Sequence, residues 1–315
     1  MTNLPLTTAT VLFSSLWSVS TSAEAANHLY GLINIALEQS TPSSALEHKI
    51  SSKASRFGIK GERQLEHKVI INYKIEYGVN LNGERTSLRE HIVLLNTEHG
   101  NIKLGYSNTP FKLSQGKVDI FNDVVDMKLL LPGDNVTELL HYQSPTFDNW
   151  RLNIAYIANG NDQYETHATS SSLQYQNDNL YFAIAYENGV TEQELIRVST
   201  SYNYDAWQLG YLYQAQLNNN LGNRKNSGHL ISASYKLNSA LFKGQYISSS
   251  YTSGNKGFYG ISGVPMHSIT LGLDYSLQQH TTWYSYFAYG RSDDTNQVSD
   301  NDKRTIIGMG LKTLF

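Results

Sequence analysis

The chain of 315 residues has a formal charge of −3, which gives no case for nucleic acid, and no cysteine, which excludes a disulfide frame, a thiol nucleophile and a Cys-based metal site. Only 16% of its residues are charged against 40% hydrophobic, with 22 Tyr and 23 Gly; soluble domains average about 25% charged, so the shortfall suits a lipid-facing band with aromatic girdles. Beyond the N-terminus no apolar run reaches the roughly 18–20 residues of a spanning helix, a test that is blind to a barrel whose lumen side is polar.

Residues 1–25 read as a secretory signal. An apolar stretch from Leu6 to Val19 precedes Thr21-Ser-Ala-Glu-Ala-Ala26, and Ala23-Glu24-Ala25 fits an A-x-A cleavage site. The segment departs from the usual pattern in lacking Lys and Arg before its apolar stretch. Residues 26–315 then form one domain.

That domain parses into short segments of period two. Phe57 and Ile59 interleave with Arg56, Gly58 and Lys60. Val69, Ile71, Tyr73, Ile75 and Tyr77 oppose Asn72, Lys74 and Glu76. Trp150 to Tyr156, Leu180 to Glu187, Ile196 to Tyr204, Trp207 to Tyr213 and Ile269 to Tyr275 alternate in the same way. The last is Thr305 to Phe315, an apolar-against-small alternation that stops on an aromatic carboxyl terminus. Segments of about 8–12 residues suit tilted transmembrane strands. Their second face is rich in Ser, Asn, Gln, Ala and Gly rather than the Lys and Glu of a water-exposed sheet, as a water-filled lumen requires. About sixteen segments fit between His28 and Phe315, an even number in the size range of a barrel with an aqueous channel.

Connections alternate in length. Asn177-Asp-Asn179 and Tyr204-Asp-Ala206 are tight turns, whereas 159–168, 216–228, 250–266 and 291–302 are longer and polar. The longest, about 107–134, includes Phe111, Leu113, Val118, Ile120 and Phe121, too apolar to extend into solvent. It is expected to pack on the inner wall, and a loop of this length is usually functional. The ten His make no H-E-x-x-H pair, so metal catalysis has no support.

Seven blocks, in order, resemble the general diffusion porins of Gram-negative outer membranes. They are Leu29-Tyr30-Gly31, Ser55 to Glu62, Ile102 to Tyr106, Thr109 to Asp123, Asp134 to Val136, Tyr142 to Pro145, and Gly308 to Phe315. The resemblance implies an all-β fold: a transmembrane antiparallel β-barrel of about sixteen strands with its third long loop folded into the pore. It also implies a homotrimer set in outer-membrane lipid and lipopolysaccharide. It further implies an eyelet in which the loop acids Asp119, Asp123 and Asp126 face basic wall residues. Arg56 matches the first wall base and Arg89 the second. The place of the third, about Asn135, is not basic, and Lys60 and Lys74 share the lumen parity of their strands.

The expected function is passive diffusion of small hydrophilic solutes and ions, with no bond made and no cofactor or metal. One absent wall base leads us to expect a weak preference for cations. A substrate-selective channel and an outer-membrane barrel enzyme are the alternative readings; neither a stacked aromatic track nor a local catalytic motif marks this sequence.

Overall fold

The structure is a computed structural model that describes residues 26–41, 47–65, 68–81, 83, 85–121, 124, 135–158, 167–190, 193–219, 226–250, 266–292 and 303–315. The expected signal segment lies outside the described residues, as do most of the four longer polar connections. β1 (Ala26–Thr41), β2 (Glu47–Ser52), β3 (Arg56–Gln64), β4 (Ile70–Gly78), β5 (Ser87–Thr97) and β6 (Gly100–Asn108) lead to a one-turn helix, α1 (Pro110–Leu113). Next come β7 (Asn135–Gln143), β8 (Trp150–Ile157), β9 (Ala168–Gln176), β10 (Leu180–Asn188), β11 (Gln193–Tyr204) and β12 (Trp207–Asn219). The chain finishes with β13 (Ser227–Leu237), β14 (Ala240–Ser249), β15 (Met266–Gln278), β16 (Thr281–Ser292) and β17 (Lys303–Leu314).

Neighbouring strands pair antiparallel, and β17 returns to β1 in a register running from Leu32↔Leu314 to Thr41↔Thr305. The ring is closed, which removes the exposed strand edges of an open sheet. Phe315 completes the seam: its N–H donates to the Gly31 carbonyl (3.1 Å) and its own carbonyl accepts from Gly31 N–H (3.0 Å). Gly31 needs to be glycine because the Phe315 ring occupies the space of a Cβ.

β2 and β3 are two segments of one barrel strand, so the seventeen segments make a sixteen-stranded barrel. Ile35 pairs with Ser52 and Leu32 with Arg56, leaving Lys53, Ala54 and Ser55 opposite two residues of β1. This is a β-bulge. Ala54 takes φ 53°, and Ser55 Oγ bonds both the N–H and the carbonyl of Asn34 (2.9 and 3.0 Å). The extra residue exchanges the faces: even-numbered Ile50 is exposed before it, odd-numbered Phe57 and Ile59 after it.

Burial is inverted relative to a soluble sheet. Leu29, Ile59, Leu152, Ile184, Leu209, Ile231, Leu271 and Ile307 are exposed on the outer face, while Asn34, Ser170, Ser199, Gln214, Ser232 and Gln245 are buried within. Hydrocarbon outside and polar groups inside produce that pattern. Short turns gather at one rim and long connections at the other, the usual periplasmic and extracellular ends. Near the short-turn rim Trp150 packs on Tyr175 and Trp207 on Tyr235 (ring centroids 5.1 and 4.7 Å), the aromatic girdle expected at an interface.

Candidate functional site

The chain after β6 turns inward and lies along the inner wall. Thr109 begins the turn: its Oγ1 accepts from Lys112 N–H (3.2 Å) and donates to Glu187 Oε2 (2.7 Å), and Pro110 follows at the first helical position. Phe111 is fully buried against Ala185 and Leu195. Its N–H donates to Ser170 Oγ (2.9 Å) and its carbonyl accepts from Arg197 Nη1 (2.9 Å). The guanidinium stacks on the Phe111 ring at 4.1 Å and donates twice to Gln214 Oε1 (2.6 and 3.1 Å).

Farther along, Tyr181 Oη donates to the Ser114 carbonyl (2.9 Å) and Ser232 Oγ to that of Val118 (2.5 Å). Ile120 N–H donates to Gln245 Oε1 (3.1 Å). Phe121 then enters a pocket of Ala36, Tyr284, Tyr286, Ala288 and Ile306, with Lys243 Nζ 4.6 Å above its ring. Lys243 is itself paired with Asp274 (2.8 Å). The wall under the loop is paved with Ser, Ala and Gly, so backbone and rings can approach closely: a Cβ on Gly272 would stand 2.7 Å from the Phe121 ring. These contacts run from β9 through β17 to Ala36 of β1, and they bear out the expected inner-wall packing of the loop.

The opposite wall, β1 to β6, stays open and charged. Glu76 is its hub, 4% exposed. It receives Arg89 Nε (2.8 Å), Lys74 Nζ (3.1 Å), Tyr30 Oη (2.8 Å) and, at 3.8 Å, Arg56 Nε. Lys74 also pairs with Glu90 (2.6 Å), which accepts from Ser107 Oγ (3.0 Å). Lys60 Nζ stands 5.4 Å from the Tyr30 ring centre. Beside this group Lys53 pairs with Glu38 at 2.7 Å.

The structure therefore brings Arg56, Lys60, Lys74 and Arg89 together on three adjacent strands. Arg89 and Glu90 both reach the lumen because the register slips between Glu76↔Glu90 and Tyr77↔Leu88. Asp119 lies on the loop, 7% exposed, with Oδ1 accepting from Phe121 N–H (3.1 Å). Asp123 and Asp126 lie outside the described residues. Glu76, Glu90, Lys103 and Arg197 were missed as site residues. The lumen parity of Glu76 and Arg197 is readable from alternation; that of Glu90 is hidden by the bulge.

A closed antiparallel barrel with one loop bound inside and a charged wall facing it is the architecture of a transmembrane channel. A family model described as Gram-negative porin matches residues 7–295. The chain belongs to the Gram-negative porin family and is a multi-pass β-barrel of the outer membrane. Among solved structures it is similar to an anion-selective porin from Comamonas acidovorans, with TM-score 0.77 and 17% identity over 93% of this chain and 100% of that one. It is also similar to a loop L8 deletion mutant of OmpT, an outer membrane protein of Vibrio cholerae (TM-score 0.72, 15% identity, 92% of this chain and 99% of that one). A trimer form of in-vitro folded OmpT from Vibrio cholerae gives TM-score 0.66 at 13% identity, over 92% of this chain and 99% of that one. At these identities the likeness is one of fold. No curated protein matches the chain.

Proposed function

We propose that this porin is a passive diffusion channel for small hydrophilic solutes and ions, made as a precursor whose residues 1–25 are removed on export. The observation that carries the reading is the division of the lumen: the loop is bonded along β9 to β16, while the charged wall of β1 to β6 is left facing it. Arg56, Lys60, Lys74 and Arg89 form the basic side of the constriction. The loop acids Asp119, Asp123 and Asp126 supply its acidic side.

The charge preference leans to anions, opposite to the weak cation preference expected from sequence. By register, on the inward face of β1 to β6, among the described residues, Lys49, Lys53, Arg56, Lys60, Lys74, Arg89 and Lys103 outnumber Glu38, Glu47, Glu62, Glu76 and Glu90 by two. The loop, residues 107–134, carries Lys112, Lys117 and Lys128 against Asp119, Asp123, Asp126 and Asp134, a net of one negative charge that does not cancel the excess. The anion-selective relative agrees in sign. The bias is mild, because two unit charges about 10 Å apart in water interact by only about 0.4 kcal/mol.

The working form is a homotrimer. Among the described residues, outward Tyr and Trp occur on β4 and on β6 to β16, but β17, β1, β2 and β3 carry none and present mainly Leu, Ile, Met, Thr, Phe and Gly. A face without interfacial aromatics suits contact with protein rather than headgroups. Planar-bilayer recording in a KCl gradient tests all three statements. Closures in threes with a chloride-favouring reversal potential are expected; a folded barrel that carries no current would overturn the channel reading.

A further inference from the structure

A group of inward polar side chains on β6, β7 and β8 neither holds the loop nor joins the Glu76 cluster. By register Lys103 of β6 faces His141 of β7. One row nearer the short turns, Asn101, Gln143 and Asn153 follow one another across the same three strands. The first row runs on through Ala155 to Ser170, whose Oγ accepts from Phe111 N–H. The group therefore lies in the stretch of wall between the charged strands and the loop's first anchor.

Its hydrogen bonds fix which atoms are left over. Asn101 Nδ2 donates to Gln143 Oε1 (3.1 Å), and Gln143 Nε2 donates to Asn153 Oδ1 (3.0 Å). His141 Nε2 meets the same Oδ1 at 3.2 Å. An amide oxygen only accepts, so Nε2 carries the proton and the neutral ring presents Nδ1 as an acceptor. His141 and Asn153 are each 2% exposed, yet His141 Nδ1 and Asn153 Nδ2 have no hydrogen-bond partner in the protein. Polar atoms buried to that degree ordinarily have one. Lys103 is half-buried beside them and has no ion-pair partner among the described residues. The neighbouring carboxylate, Glu90, is taken by Lys74 Nζ (2.6 Å) and Ser107 Oγ (3.0 Å).

We infer that Lys103, His141 and Asn153 form a binding station in the pore for a small oxyanion that carries its own proton, the class of hydrogen phosphate and its monoesters. The inference rests on the reading of the lumen as a solute path. The three side chains supply one ammonium, one amide donor and one lone pair. Charge-assisted bonds from Lys103 and the Asn153 amide suit the oxyanion's acceptor oxygens. The His141 lone pair needs a donor, which the P–OH of hydrogen phosphate provides and a fully deprotonated oxyanion such as sulfate does not. Sulfate would face a buried acceptor with nothing to give it, and an acceptor left unmet in that way is penalised. The chemistry of the leftover atoms therefore selects among anions of equal charge, which the basic wall of β1 to β5 does not do.

The test is equilibrium dialysis of the full refolded porin in detergent against radiolabelled inorganic phosphate at pH 8, competed with sulfate of nearly the same charge. Phosphate is expected to bind about tenfold more tightly than sulfate. His141→Phe removes the acceptor and should bring phosphate down to the sulfate level. Lys103→Gln should weaken both anions about tenfold. Asn153→Asp, nearly the same shape, turns a donor into a carboxylate and should abolish phosphate binding even where the His141 variant does not fold. Equal binding of sulfate by the unsubstituted porin would overturn the station, and so would unchanged phosphate binding in heat-modifiable Lys103→Gln and Asn153→Asp barrels. Planar-bilayer recording of the same preparation separates the two readings. A barrel that conducts chloride but retains no phosphate sinks the station alone. One that retains phosphate with the expected preference yet carries no current sinks the channel reading and leaves the station as a binding site.

Discussion

Arg197 meets Phe111 twice, through its guanidinium stacked at 4.1 Å on the ring and through Nη1 on the same residue's carbonyl at 2.9 Å. One wholly buried side chain on β11 thereby holds both the backbone and the side chain of the loop. Hydrogen bonds to charged groups contribute about 1.5–3 kcal/mol. Arg197→Ala is therefore expected to release the N-terminal part of the loop without opening the barrel. Single-channel recording should show larger and noisier conductance, and limited proteolysis should cut the loop. Unchanged conductance together with protease resistance would mean that the other latches suffice.

The far end of the loop depends on Gly272, beneath Phe121. Gly272→Val is expected to lift Phe121 from its pocket, an overpacking cost of about 1–3 kcal/mol. The measurable result is a lower transition temperature with the β-sheet signal retained in circular dichroism.

Glu76 neutralises part of the basic wall. Glu76→Gln adds one net positive charge to the lumen, and a change of about 0.4 kcal/mol raises the chloride-to-potassium permeability ratio about twofold. The effect should shrink between 0.1 M and 1 M KCl as the Debye length falls from about 10 Å to 3 Å. A shift towards potassium would be falsifying.

Asp123→Lys is expected to move the reversal potential further towards chloride. No movement would remove Asp123 from the pore and leave Asp126 as the acid to test.

Deleting Phe315 removes two backbone hydrogen bonds at the seam, about 1–3 kcal/mol together, along with the ring over Gly31. Refolding yield, read as the heat-modifiable band on gels, should drop sharply while unfolded protein accumulates.

Most of the fold was legible from alternation, because period two separates lipid from lumen along each strand and the terminal Phe marks the closing strand. The loop's inward course was legible for a related reason, since Phe111, Val118 and Phe121 have no other apolar surface to cover. The site was less so. A strict alternation carried through 47–64 places β2 on the wrong face, since Ala54 inserts an extra residue at a point no local motif marks. The same kind of slip at Arg89 hides Glu90 beside Lys74. Opposed charges change each other's meaning: Arg56, Lys74 and Arg89 read as a bare positive wall until Glu76 is seen among them. The weak cation preference expected from sequence counted one absent base, whereas the preference proposed above counts the whole wall.

The loop's attachments also reach the seam. Thr109 to Phe121 bind strands from β9 to β16, and Phe121 also touches Ala36 on the first strand, Tyr284 and Tyr286 on the last but one and Ile306 on the last. The loop is therefore an inner strut of the ring: the side chain at its far end joins from within the same two strands that Phe315 joins through the backbone.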